Sequence, residues 1–336
     1  IMRANGLRPA KATTNRLVHP QQIVDEGRVF YDRVASINAH PDLTFNADEF
    51  FVLLNHDNKS WTWFRHTGLG PQTVAVREER LGFTCCVVTS CSGEIVALQM
   101  IWKGKTVNSH ARVSEGKRSD LIFQYHREDT HFQSEVTWTD FMQVIVRHIA
   151  TLREQRPHLS EQRALFLYDH APQHGSEDGM SNLFETVNAA VLEVPRKMTH
   201  VFQPADMFII ANIKAAVQLR WTRWVESLFE TSNSEMHAAD TAASTGNAQV
   251  KKQLKYEFLA AALVDVAKTD SVLASWEATG LRRAIGLPAR LDRFGQPKTP
   301  VLFDAYVDLA ATIGNEPIPE VEAPTADAQD DDTPAG

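Results

Sequence analysis

Residues 164–168, Ala-Leu-Phe-Leu-Tyr, carry no charged side chain on either face of any strand they form, and Asp169 follows immediately. A run this short, apolar and aromatic reads as a buried strand. Burial on both faces requires helices on both sides of a sheet. An acid at the end of such a strand stands where the sheet opens to solvent, the edge where α/β sheets bind ligands.

The rest of the chain supplies the other elements of that architecture. Residues 20–38 read as a helix and 44–54 as a strand, and 83–102 read as a hairpin turned at Ser92-Gly93. The polar residues 103–130 read as a loop or flap. The segment 137–156 has Phe141, Val144, Ile145, His148 and Leu152 at helical spacing, with Thr137 or Thr139 as its cap. His148 on that face is expected to be a core residue. After the strand at 164–169 come a helix near 180–190, a short strand at 190–194 and a long helix over 206–230. Two further helices follow, at 251–268 and 271–279, with Gly280 as the C′ residue of the second. The sum is an α/β fold: a mixed sheet flanked by helices, with a C-terminal helical appendage.

Composition narrows the setting. The chain has 336 residues, is 43% hydrophobic and contains seven Trp, enough for a sizeable core. No stretch approaches the ~20 apolar residues of a membrane helix, so no membrane partner is expected. Its three cysteines, Cys85, Cys86 and Cys91, include no CxxC pair and point to a reducing compartment. The net charge of −8 is concentrated at the end, where residues 316–336 hold seven acids and no Lys or Arg. Without that tail, 34 basic residues face 35 acidic ones. The tail is expected to be disordered. The small polar stretch 231–249 reads as a flexible linker. The expected organisation is an N-terminal helical lead-in (1–40), a catalytic-type domain (41–230), the linker (231–249), a helical region (250–315) and the acidic tail (316–336).

Three acids sit beside apolar sequence that must be buried: Asp48 in FNADEF, Asp169 after the strand and Asp206 in THVFQPADMF. Carboxylate oxygens suit hard divalent cations. Two such ions a few ångströms apart can activate water and stabilise a leaving oxygen in phosphodiester chemistry. Glu49 alternates to the opposite strand face from Asp48 and is excluded from the core site on that ground. Asp57, in polar surroundings, ranks below Asp48 as a first acid. His170 and His174 have a zinc-type spacing, but Pro172 between them opposes a regular helix. A zinc site built from His170, His174 and His200 is the weaker metal alternative. Trp221 and Trp224 are expected to pack a helix rather than stack on bases.

These segments resemble the DDE superfamily endonuclease domain of pogo-like and mariner-like transposases, a group that includes the jerky and centromere-protein-B relatives. The family's Asn-x-Asp-Glu-Thr-Gly element is matched by Asn46-Ala47-Asp48-Glu49-Phe50-Phe51, and its Lys-Gly-Lys by Lys103-Gly104-Lys105. Asp169-His170-Ala171-Pro172-Gln173-His174 matches its second acidic motif. Thr199-His200-Val201-Phe202-Gln203-Pro204-Ala205-Asp206 matches its third, and Lys214 falls where the family has a Lys on the next helix. The likeness covers roughly residues 30–225, with Trp276–Gly280 as a family-like tail element.

The resemblance implies a ribonuclease-H-like fold and a site of two Mg²⁺ or Mn²⁺ ions on Asp48, Asp169 and Asp206. DNA is then the substrate, cut and joined by phosphodiester cleavage and strand transfer. It implies supporting or DNA-contacting roles for His174, His200, Gln203, Lys103, Lys105 and Lys214, with Lys103 to Arg118 as a phosphate-contacting run. A DNA substrate points to the nucleus, and a homodimer is a candidate assembly. Two departures stand out. Phe50 and Phe51 replace Thr-Gly beside the first acid, and no N-terminal helix-turn-helix reader is evident in the chain. They raise the alternative of a domesticated, non-catalytic DNA-binding or scaffold protein that keeps the fold.

Overall fold

The computed structural model describes residues 18–54, 82–112, 121–231 and 248–313. The expected acidic tail, most of the 231–249 linker, the first seventeen residues, Asp57, Lys117 and Arg118 lie outside the described residues.

Six strands form one sheet: β1 (Thr44–Leu53), β2 (Gly82–Ser90), β3 (Ile95–Lys103), β4 (Ile122–Glu128), β5 (Ala164–Tyr168) and β6 (Ala189–Glu193). Their spatial order is β4-β3-β2-β1-β5-β6. The β1-β2-β3 meander is antiparallel, and β4, β5 and β6 each run parallel to a neighbour. This is the expected mixed sheet flanked by helices. β5 is buried at every residue, as its apolar sequence requires. The loop or flap expected over 103–130 is corrected in part, because its second half forms β4 on the sheet edge against β3.

The helices are α1 (Pro20–Ile37), α2 (Glu135–Gln155), α3 (Glu177–Glu185), α4 (Thr199–Phe202), α5 (Ile210–Thr231), α6 (Ala248–Ala267), α7 (Ser271–Ala278), α8 (Leu281–Ala284) and α9 (Leu302–Ile313). Strand alternation divides the core in two. Phe45, Ala47, Phe166 and Tyr168 pack with Trp138, Phe141, Ile145 and Phe184 of α2 and α3. Phe50, Val52, Leu165 and Leu167 face the other way, toward Ile213 and Val217 of α5, Tyr256 and Leu259 of α6, and Trp276 of α7. The C-terminal helices therefore share a core with the sheet. Trp276 is fully buried and its indole Nε1 donates to Thr89 Oγ1 at 3.2 Å.

Local chemistry sets several boundaries. The cap of α2 is Ser134, not Thr137 or Thr139: Ser134 Oγ accepts from the Thr137 N–H, and Thr137 Oγ1 accepts from the Ser134 N–H. This reciprocal capping box satisfies two otherwise orphaned amides. Gly280 takes φ 74° at the end of α7, where a side chain would also collide with the Tyr31 hydroxyl.

Candidate active site

The three acids reach one place by three different devices. Asp48 lies inside β1. The parallel register pairs Asn46 with Leu167, so continuing it by two residues sets Asp169 beside Asp48. Asp206 comes from the other side of the chain. It sits on a π-turn, Ala205–Ile209, that precedes α5, rather than opening a regular helix as expected. Single π-turns recur at functional sites because the extra residue re-aims a side chain.

Two buried amides join these pieces. The Asn46 side chain donates to the Leu167 carbonyl at 3.1 Å, and its Oδ1 accepts the Ala205 N–H at 3.0 Å. It thus ties the strand of Asp48 to the residues leading into Asp169 and Asp206. Gln203 Nε2 donates to the Ala47 carbonyl at 3.2 Å, a second stitch between the π-turn and β1. Gln203 is fully buried, so it supports the site and does not reach DNA.

The electrostatics follow from the placement. Asp48 is only 9% exposed; its Oδ1 accepts the Glu49 N–H at 2.7 Å, and its Oδ2 is buried without a donor. Burial, and then the charges of Asp206 and Asp169, push its pKa well above the usual carboxylate range. The group in reach of Asp48 is another carboxylate, that of Asp206. Asp169 is also raised, mainly by burial, with His174 opposing the shift and Glu49 and Asp206 adding to it. Three acids whose charges destabilise one another leave a place suited to cations. Among the described residues no three His, Cys, Asp or Glu groups are closed into a preformed metal cage. Asp48 is fixed by its strand, whereas Asp169 is half-buried and Asp206 exposed.

His174 is placed behind the acids rather than at a DNA surface. Its ring is 3% exposed and stacks on Trp138, with centroids 3.8 Å apart. Nδ1 lies 2.9 Å from the Asp169 carbonyl oxygen and 3.5 Å from Asp169 Oδ1, while Nε2 lies 2.9 Å from Glu49 Oε1. Glu49 does alternate away from Asp48, and it supports the site from behind: through His174 it is joined to Asp169. Sequence reading missed the roles of Asn46, Glu49 and Trp138. Asn46 and Glu49 stood within the quoted motif, and Trp138 gave no signal beyond helical spacing.

The other expected residues separate. His200 is exposed on α4 and faces Tyr306 of α9, with ring centroids 6.2 Å apart. His170 turns to Glu193 at 3.0 Å, so His170, His174 and His200 do not meet as a zinc site. Lys105 is ion-paired with Asp129 at 2.8 Å, and Lys103 is exposed at the end of β3. Lys214 is exposed on α5, with its Nζ 5.7 Å from the centre of the Phe50 ring, so the bulk introduced after Glu49 packs beside it. Trp221 is buried against Trp224, as helix packing.

No curated protein sequence matches the chain. Among solved structures, it is similar to a pre-cleavage Mos1 transpososome at 13% identity and a TM-score of 0.43, covering 80% of this chain and 69% of that one. It is similar to the Mos1 mariner paired end complex with Mn at 12% identity and a TM-score of 0.42, covering 80% and 69%. The catalytic domain of Mos1 mariner transposase gives 14% identity and a TM-score of 0.35, covering 79% and 98%. The family model described as DDE superfamily endonuclease matches residues 78–282, which include Asp169 and Asp206 and begin after Asp48. That match spans more than half of the 336 residues, and the chain belongs to the DDE superfamily endonuclease family.

Proposed function

We propose that this chain cleaves DNA phosphodiester bonds at the Asp48–Asp169–Asp206 site, with two Mg²⁺ or Mn²⁺ ions held by those carboxylates. The observation that carries this reading is the buried Asp48 Oδ2, which meets no donor and faces two further acids. Divalent cations bound there supply Lewis acidity to an attacking and a leaving oxygen. The chain's own residues supply position. Asp48 is fixed by its strand; Asp169 is braced by His174, which Glu49 and Trp138 hold in turn; Asp206 is set by the π-turn that Asn46 and Gln203 fasten to β1. In cleavage, a water oxygen bonds to phosphorus, the P–O3′ bond breaks, and the 3′ oxygen leaves with a proton. Attack of that freed hydroxyl on a second DNA phosphate is strand transfer. A DNA substrate makes the nucleus the expected location.

The test is nicking of supercoiled DNA by the purified chain. We expect product with Mg²⁺ or Mn²⁺, none with chelator, and none from Asp169→Asn under either metal. Calorimetric titration with Mn²⁺ should show binding that Asp48→Ala removes. A folded chain that binds no Mn²⁺ and cuts nothing is instead the non-catalytic DNA-binding or scaffold descendant, the reading that Phe50 and Phe51 beside the first acid favour.

A further inference from the structure

Beyond Glu49, β1 carries an aromatic feature that the site's chemistry does not use. Phe51 lies two residues on and on the same strand face, about 7 Å further along. Its ring meets His131 with centroids 4.9 Å apart, and His131 meets Phe132 at 4.4 Å. The three rings form a short ladder from the strand end to the surface. Phe51 is half-buried, and its ring lies over Gly82, where a Cβ would stand 2.2 Å from it. Phe132, at the top, is 65% exposed, so an aromatic face is open to solvent. Burial, with Lys103 nearby, holds the His131 pKa below its ordinary value. Lys103 itself is exposed beside the ladder.

We infer that Phe132, backed by His131 and Phe51, is a stacking platform for an unpaired DNA base, with Lys103 taking the adjoining phosphate. This deepens the DNA-cleavage reading and rests on it. An exposed ring beside a lysine matches how single strands are held: every base offers a π-face, and the backbone seeks positive charge. The location fits as well, since the ladder begins on the strand that holds Asp48 and Glu49. One exposed ring with a cation is also a small target for a protein surface, which favours a nucleic-acid occupant.

The experiment measures binding of labelled oligonucleotides to the full chain in chelator, single-stranded and duplex, over a range of salt. Base stacking is worth about 1–3 kcal/mol by alanine substitution, so Phe132→Ala should weaken single-strand binding about 10-fold. Duplex binding should change less than about 2-fold, and the salt dependence should not move. Phe132→Trp should restore affinity, and quenching of a 2-aminopurine base should vanish in Phe132→Ala and return in Phe132→Trp. Lys103→Gln should reduce the salt slope by about one contact. Because Phe132 is exposed, its variants are expected to melt with the parent. Unchanged single-strand affinity and quenching in Phe132→Ala overturn the platform while leaving DNA cleavage standing. If that variant instead alters sedimentation, the ring is a protein contact and the platform is equally wrong. A parent chain that binds no oligonucleotide at all overturns both readings.

Discussion

Asn46 is a poor residue for a buried strand by propensity, and that is the clue to its work. Asn is depleted in strands and costly to bury unpaired. One placed among Thr44, Phe45 and Ala47 must find partners, and here it finds the Leu167 carbonyl and the Ala205 N–H. Replacing it by Leu keeps the volume and orphans both groups. Asn46→Leu should therefore cost about 2–4 kcal/mol in urea unfolding and weaken Mn²⁺ binding even where the variant is fully folded. Asp48 predicts the opposite balance. Its carboxylate is buried among like charges, so Asp48→Asn should stabilise the metal-free chain by about 1–2 kcal/mol while abolishing Mn²⁺ binding. A destabilised Asp48→Asn would show that the acids are not in conflict. The motif spacing singled out Asp48, Asp169 and Asp206 as candidates, and the fold brings their charges within reach of one another. The links behind them were not legible, because hydrogen bonds between distant segments leave no periodic trace in a sequence.

At the scale of elements, legibility followed burial. β1, β2, β3 and β5 announced themselves because apolar residues dominate them. β4 did not: an edge strand is paired on one side only, and its sequence mixes polar with apolar residues, so it read as loop. The π-turn at Ala205–Ile209 was hidden for another reason, since one extra residue per turn does not disturb an apolar pattern over five residues. α7 was readable as a helix, but its docking site was not. The fully buried Trp276 fixes it by packing in the sheet's core and by its bond to Thr89. Trp276→Ala should cost about 3–5 kcal/mol in global unfolding, because the cavity forms in the core that the sheet and C-terminal helices share. Trp276→Phe, which keeps most of the volume but loses the donor, should cost markedly less. Loss confined to the C-terminal helices, with the sheet's unfolding unchanged, would mean that the two pack as separate units.

At the scale of the whole molecule, a buried cation away from the candidate site sets a pH dependence of stability. Lys255 of α6 is fully buried, its Nζ has no hydrogen-bond partner, and it lies 3.9 Å from the centre of the Trp221 ring of α5. Burial lowers its pKa from 10.5 to about 6. The Trp221 face favours the ammonium by up to about 2 kcal/mol, so it offsets part of that burial cost. The direction of the pH effect follows from proton counting. Between pH 6 and 10.5 the unfolded chain binds a proton at Lys255 that the folded chain lacks. Stability therefore rises with pH across that window, and this contribution is lost as pH falls toward 6. The slope from this one group is at most about 1.4 kcal/mol per pH unit. Lys255→Met fills the same space without the ammonium. It should raise stability at pH 7 by about 1–3 kcal/mol and flatten the slope between pH 6.5 and 8.5, read from urea midpoints. If Lys255→Met is less stable at every pH, the ammonium is held charged against Trp221, and the α5–α6 contact depends on that attraction rather than on burial of a neutral amine.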